Sequence, residues 1–137
     1  MNVLKISEAV SIALHSLSLM ARDGERCWKV KDLAREVGVS EAHLAKVFQR
    51  LVKVGILSSV RGPQGGFSLA RPGEEITLLE VYEAVEAPLY EGGECLLRRS
   101  SCPFGECIFG DLVGRMNREF REYLASKTLG DIARGGR

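Results

Sequence analysis

Two short helical segments separated by a tight glycine turn are the feature that most restricts how this chain can fold. Residues 30–37 and 41–54 both carry apolar side chains at the spacing of an amphipathic helix. Gly38 stops the first segment, Ser40 offers an N-cap to the second, and Gly55 ends it. Two helices joined in this way are predicted to form a helix-turn-helix.

A hairpin is predicted directly after this pair. Its strands fall at residues 56–60 and 67–70, around the loop Arg61-Gly-Pro-Gln-Gly-Gly66. A hairpin in this place is a wing, so the order of elements predicts a winged helix-turn-helix. Residues 29–71 also hold eight basic residues against three acidic ones, a net charge of about +5, as expected of a segment that faces a polyanion.

Three more helices are predicted outside this unit. Residues 6–20 have helical periodicity behind the potential cap Ser7. A second helix begins at Thr77 and ends before Pro88, and residues 108–127 form a long helix with one apolar stripe. The predicted fold is therefore mainly α with a small β-hairpin.

The apolar stripe of residues 108–127 needs something to cover it. An identical helix of a partner is favoured, because a two-fold dimer also matches a palindromic operator on double-stranded DNA. The alternative is that the stripe folds back onto its own core. The predicted division is a DNA-binding domain at 1–73, a connecting helix and cysteine loop at 74–107, and a dimerisation helix with a tail at 108–137.

The face of helix 41–54 that lies opposite its core is predicted to enter the major groove. Small side chains allow a close approach there, and Lys46, Gln49 and Arg50 can reach base edges or phosphates. In the wing, Arg61 among small residues suits a narrow minor groove. The predicted DNA-contacting residues are Ser40, Ala42, His43, Lys46, Gln49, Arg50, Arg61, Gln64 and Gly65.

The composition of the chain limits the cellular compartment and the cysteine chemistry that can be expected. The chain has no run of eighteen apolar residues and no signal-peptide pattern, so a cytoplasmic protein without membrane contact is expected. In a reducing cytoplasm its four cysteines are thiols or metal ligands rather than disulfides. Glu8, His15 and His43 lack the spacing of a nucleophile or metal-hydrolase site, so no enzymatic activity is predicted.

Three of the cysteines, Cys95, Cys102 and Cys107, lie within thirteen residues in a segment rich in glycine. Thiolates are soft ligands that select zinc, cuprous copper or iron–sulfur clusters. Three thiols leave one coordination position and neither histidine is near in sequence, so a fourth ligand must come from elsewhere, such as the other subunit. Cys27, beside Trp28, is interpreted as a packing residue.

The runs VSEAHLAKVFQRLVKVGIL (39–57) and SSVRGPQGGFSLA (58–70) resemble the Rrf-type winged helix-turn-helix transcription regulators, the family of IscR and NsrR. TLLEVYEAVE, the three cysteines and the closing TLGDI extend the resemblance over nearly the whole chain. The resemblance implies that Cys95, Cys102 and Cys107 ligate an iron–sulfur cluster of the two-iron or four-iron type. In some members an acidic residue of the partner's first helix completes the set; Glu8 matches that position, and His15 is the reserve.

These features predict a homodimeric transcription repressor whose operator affinity is controlled by an iron–sulfur cluster that senses iron status, redox state or nitric oxide. Cluster state would act through dimer geometry, which sets the distance between two recognition helices on half-sites roughly 34–36 Å apart. One alternative keeps the DNA binding but replaces the cluster with zinc or redox-active thiols. Another is a small iron–sulfur carrier protein, which would have no use for a basic helix-turn-helix.

Overall fold

The computed structural model describes residues 6–24, 26–86 and 103–135. Cys95, Cys102 and the predicted helix end at Pro88 lie outside these residues. The described residues form six α-helices, one turn of 3₁₀ helix and one two-stranded sheet. In chain order they are α1 (Glu8–Arg22), α2 (Val30–Val37), α3 (Glu41–Lys53), β1 (Leu57–Val60), β2 (Gly66–Leu69), the 3₁₀ turn (Gly73–Glu75), α4 (Leu78–Val85), α5 (Leu112–Ser126) and α6 (Leu129–Gly135).

The helix-turn-helix has the predicted order and nearly the predicted bounds. The turn between α2 and α3 depends on Gly38, whose φ of 81° lies in the left-handed region that glycine adopts without strain. Ser40 then begins α3, because its hydroxyl accepts a hydrogen bond of 3.1 Å from the backbone N–H of His43. The expected fold class, mainly α with a small hairpin, is confirmed.

The wing is fixed to the rest of the domain by one added strand contact and one ring contact. β1 and β2 pair antiparallel, with Leu57 opposite Leu69. Trp28 pairs with Phe67, each backbone N–H donating to the other's carbonyl oxygen at 2.7 Å. Phe67 also packs edge-on against Phe48 of α3, with ring centroids 5.1 Å apart. The hairpin is therefore positioned relative to α3 rather than loosely attached.

Helix α1 lies at the centre of the hydrophobic core. It packs against α3, α4 and α6, and its buried face also meets α2 and β2. Within the described residues, two buried polar atoms, the Ser16 hydroxyl oxygen and the indole nitrogen of Trp28, have no hydrogen-bond partner. The largest fully buried side chains are Phe48, Leu17, Met20, Leu33, Leu44, Leu51, Leu57, Ile76 and Leu129.

The C-terminal region differs from the prediction in two respects. α5 begins at Leu112, four residues later than predicted, because residues 108–111 form a turn in which Gly110 has a φ of 60°. A further helix, α6, follows where only a tail was predicted. Its start is a capping box, in which Thr128 Oγ1 accepts from the Asp131 N–H at 3.1 Å and Asp131 accepts from the Thr128 N–H at 2.9 Å. That backbone hydrogen bond is the main cause of the lowered pKa of Asp131.

The prediction that Cys27 packs in the core is wrong. Cys27 is exposed, whereas its neighbour Trp28 is buried and carries the guanidinium of Arg26 over its ring, 3.6 Å from the centroid. Consecutive residues of an extended segment point to opposite sides. Burial of the Trp28 ring therefore turns the Cys27 thiol towards solvent.

Replacing Gly66 with alanine should lower the free energy of unfolding by about 2 kcal/mol. Gly66 has a φ of 152°, and a Cβ there would overlap the carbonyl oxygen of Trp28. The matched control is Gly62→Ala, which also has a positive φ (104°) but no atom within 4 Å of the added carbon, so we expect only about 1 kcal/mol. Thermal unfolding in the absence of DNA measures both, and equal losses would contradict the proposed clash.

Candidate DNA interface and cluster ligands

The outward face of α3 presents most of the predicted major-groove residues to solvent. Ala42, Lys46 and Gln49 are exposed and His43 is half-buried, while the apolar face of the helix is buried. Small and long polar side chains on one exposed face are what a recognition helix needs. Ser40 is also exposed, but its hydroxyl already caps α3.

The wing loop divides into exposed polar residues and a tightly packed glycine. Arg61 and Gln64 are exposed. Gly65 is buried, its N–H donates to the Gly62 carbonyl at 2.9 Å, and a Cβ on it would overlap the carbonyl oxygen of Val60. Gly65 therefore shapes the loop that carries Arg61, and its own contact with DNA stays a prediction.

Arg50 is turned towards α4. Its Nη1 donates a hydrogen bond of 2.7 Å to the carbonyl oxygen of Val85, the last residue of α4, in a partly buried position. The last carbonyl groups of a helix lack helical partners and carry its partial negative charge, so a cation is favourable there. The DNA contact predicted for Arg50 is untested, and its guanidinium has a partner within the protein.

The end of α4 is also linked to α1 and α5. The Ser7 hydroxyl donates to the carboxylate of Glu86, the residue after α4, and accepts from the Val10 N–H as the cap of α1. Tyr82 packs edge-on against Phe120 of α5, with ring centroids 5.6 Å apart. Burial, and secondarily the charge of Glu86, raise the pKa of Tyr82 above its ordinary value.

Glu8 lies in the first turn of α1, close to the recognition helix. Its side chain is 75% exposed, and its Oε1 lies 3.9 Å from Nδ1 of His43. His15 is exposed, with its Nδ1 2.7 Å from the Ser11 carbonyl oxygen. Glu8 and His15 both line an open surface cavity of about 400 Å³, together with Glu36. The Glu8 carboxylate is thus accessible to a further partner.

Of the three clustered cysteines, the structure describes Cys107. Its side chain is exposed and takes part in no disulfide, and it stands just before the turn that leads into α5. Among the described residues, no three His, Cys, Asp or Glu side chains are grouped closely enough to hold a metal ion. Glu8, His15 and Cys107 are therefore not brought together at one point within a single chain.

An apolar surface runs along α5 and the turn before it. Only Leu124 of α5 is buried, and Phe120 is half-buried against α4. The exposed large apolar side chains of this region are Phe104, Ile108, Phe109, Leu112, Met116 and Tyr123. None of the helices in the three described ranges is long and apolar enough to cross a membrane.

Comparison with known proteins assigns the chain to a family. Residues 6–135 match the family described as "Rrf2: Iron-dependent Transcriptional regulator". The chain belongs to the Rrf2 family. Protein aau3 of Rhizobium meliloti is 31% identical over 137 residues, which cover 96% of this chain and 86% of that protein.

Two solved structures have the same fold over almost the whole chain. CymR, the global cysteine regulator of B. subtilis, is 26% identical with a TM-score of 0.81, covering 98% of this chain and 100% of its own. T. potens IscR is 25% identical with a TM-score of 0.77, covering 98% of this chain and 90% of its own. The Rrf2 protein described here is thus a DNA-binding helix-turn-helix transcription regulator.

The residues that sequence reasoning missed are at the end of α4. Val85 and Glu86 accept hydrogen bonds from Arg50 and Ser7, which lie 35 and 79 positions away in the chain. No local sequence pattern predicts these contacts, because they depend on how α4 packs against α1 and α3. The capping box at Thr128, by contrast, is a local pattern from which α6 could have been predicted.

If Arg61 contacts DNA as predicted, Arg61→Met should weaken binding to a double-stranded DNA of arbitrary sequence and reduce the salt dependence of log K by about one unit of slope, because one cation is removed from the interface. Fluorescence anisotropy over a range of salt concentrations measures this slope. Arg118→Met is the matched control, since Arg118 is an exposed cation of α5 outside the winged helix-turn-helix. Identical slopes for the two variants would exclude the wing arginine from the DNA interface.

Proposed function

We propose that this Rrf2 regulator is a homodimeric cytoplasmic repressor whose operator affinity is controlled by an iron–sulfur cluster held by Cys95, Cys102 and Cys107. The observation that carries the proposal is the grouping of these three thiols within thirteen residues of a chain of this family. Soft thiolate ligands at such density are typical of iron–sulfur sites. The description of the family as iron-dependent supports the same cofactor.

The described ligand candidates fit the donor chemistry of such a group. Cys107 is exposed and outside any disulfide, so its sulfur is accessible to a metal. Glu8 offers a largely exposed carboxylate at the start of α1, which suits a fourth ligand supplied by Glu8 of the partner subunit. The bound cluster would supply an iron centre whose state follows iron supply, redox poise or nitric oxide. His15 is the second choice for the fourth ligand.

Helix α1 connects the ligand candidates to the DNA-reading residues. Glu8 lies 3.9 Å from His43 of α3, and the apolar face of α1 packs against α3. A new partner for the Glu8 carboxylate changes the charge that faces His43 and the forces on the start of α1. Because operator half-sites are spaced by roughly 34–36 Å, a small rotation of each α3 costs affinity. The dimer is then a two-state element biased by ligand state.

The apolar surface of α5 supports the dimer. Met116 and Tyr123 are exposed on a helix that buries only Leu124. A monomer that leaves such a stripe in water loses the stabilisation that burial of apolar area provides. A second copy of α5 related by two-fold symmetry covers the stripe and places two recognition helices on a palindromic operator.

A second candidate function keeps the repressor and replaces the cluster with reactive thiols or zinc. It is favoured by the exposure of both Cys27 and Cys107, and by the structural similarity to CymR, the global cysteine regulator of B. subtilis. Accessible thiols are the ones that oxidants and metals reach first. The two candidates differ in colour, since zinc and free thiols do not absorb visible light.

Cys102→Ala should abolish the visible absorbance and the bound iron and sulfide of anaerobically purified protein, because three thiols are needed to hold the cluster. Its operator affinity, measured on a duplex selected from a random library, should equal that of the wild-type protein stripped of iron. Cys27→Ala is the matched control and should keep the full absorbance. A colourless wild-type protein under conditions that preserve clusters would reject the cluster in favour of the thiol or zinc regulator.

Met116→Glu should weaken dimerisation at least about tenfold, because the interface would bury a carboxylate without a partner. Sedimentation equilibrium measures the dissociation constant against the monomer mass of 15.0 kDa. Ala125→Glu adds the same charge to an exposed position of α5 away from the stripe and should leave the dimer intact. Equal dissociation constants for the two variants would show that the stripe is not the dimer interface.

A further inference from the structure

The contact between Arg50 and the end of α4 joins the recognition helix to the part of the chain that leads to the cysteines. Arg50 Nη1 donates to the Val85 carbonyl at 2.7 Å, and Val85 is the final residue of α4. The guanidinium thus supplies a partner to a carbonyl that the helix itself leaves unpaired, at the negative end of the helix dipole. Arg50 as a whole is exposed, but its guanidinium makes a directed, partly buried contact between two helices.

The same end of α4 is held by α1. Glu86, which directly follows Val85, accepts the hydroxyl hydrogen of Ser7. Ser7 caps α1 and precedes Glu8, the proposed fourth ligand. A displacement of the start of α1 is therefore transmitted to the end of α4 through the hydrogen bond between Ser7 and Glu86.

The end of α4 is held on its other side by α5. Tyr82 contacts the ring of Phe120, and α5 follows Cys107 in the chain. The cysteine-bearing part of the sequence lies between Glu86 and α5, so it is attached to the domain through α4 on one side and through a helix packed on α4 on the other. Among these contacts, the one from Arg50 reaches the recognition helix.

We propose that Arg50 is a positioning residue that couples the state of the ligand region to the orientation of α3, and that it does so through the Val85 carbonyl rather than by binding DNA. The proposal rests on the proposed function, since it names a second connection, besides the contact between Glu8 and His43, by which ligand state reaches the operator. A shift of the end of α4 moves the Val85 carbonyl oxygen, to which the Arg50 side chain donates its hydrogen bond. Because Arg50 is one turn from Lys46 on α3, this shift is passed to the DNA-reading face.

The test uses the full-length dimer with its cluster reconstituted anaerobically from ferrous iron and sulfide, and the same protein stripped with a chelator. The variant is Arg50→Met, which keeps a long apolar stem and removes the hydrogen bond. Arg50→Lys keeps a cation near the end of α4, and Lys46→Met removes a cation from the exposed face of the same helix. Three quantities are measured for each: visible absorbance per chain, the slope of log K against log salt on arbitrary DNA, and the ratio of operator Kd values for the loaded and stripped forms.

For Arg50→Met we expect full absorbance, an unchanged salt slope and a loaded-to-stripped ratio that moves from the wild-type value towards one, with Arg50→Lys restoring part of the wild-type ratio. For Lys46→Met we expect a salt slope lower by about one and an unchanged ratio. An Arg50→Met protein that keeps the wild-type ratio overturns the proposal, and a loss of salt slope in that variant would identify Arg50 as a phosphate contact. Loss of absorbance in Arg50→Met overturns it too, by placing Arg50 in cluster retention.

Failure of the proposed function gives a different result. Wild-type protein that holds no cluster, or whose operator affinity is the same loaded and stripped, rejects the cluster-controlled repressor and the coupling role together. Wild-type protein with a cluster-dependent ratio that persists in Arg50→Met rejects only the coupling role. A thermal melt of Arg50→Met against wild type separates either result from loss of folding.

Discussion

Burial of helix α1 is the interaction on which the rest of the structure depends. Leu17, Val10 and Met20 are almost fully removed from solvent, and the surfaces they meet belong to α3, α4 and α6. Helices α3, α4 and α6 therefore all pack against the same helix, α1. Close-packed interiors transmit displacement because they hold few voids. A displacement of either end of α1 therefore changes the packing of α1 against these three helices.

The parts of the fold that sequence predicted are those set by local rules. Ser7 and Ser40 cap two helices as expected, and Gly38 supplies the left-handed turn that no other residue adopts as readily. Thr77, where a helix was expected to begin, is the cap of α4. The start of α5 was placed too early because the apolar periodicity continues through residues 108–111, where the backbone instead turns. Periodicity records which side chains are apolar, and it does not record where the backbone leaves the helix.

The candidate site was predictable in its exposed face and not in its internal contacts. Lys46 and Gln49 are exposed because they lie opposite the apolar face of α3, which the sequence shows directly. Arg50 belongs to the same helix, but the position of Val85 decides its orientation, and that position exists only after α4 has packed. Cys27 is similar, because the pairing of Trp28 with the wing strand determines which way the thiol points.

Weak individual contacts at this junction are compatible with strong regulation. A difference of about 1.4 kcal/mol between two states changes an equilibrium constant tenfold. Exposed contacts such as the one between the Glu8 carboxylate and the His43 ring, 3.9 Å apart, contribute little to folding, so exchanging partners there costs the domain little stability. The hydrogen bond from Arg50 to Val85 is partly buried and directional, so it can favour one orientation of α3 over another. Under the proposed function, a ligand bound by the exposed Glu8 carboxylate would therefore change operator affinity through a few replaceable contacts without unfolding any part of the core.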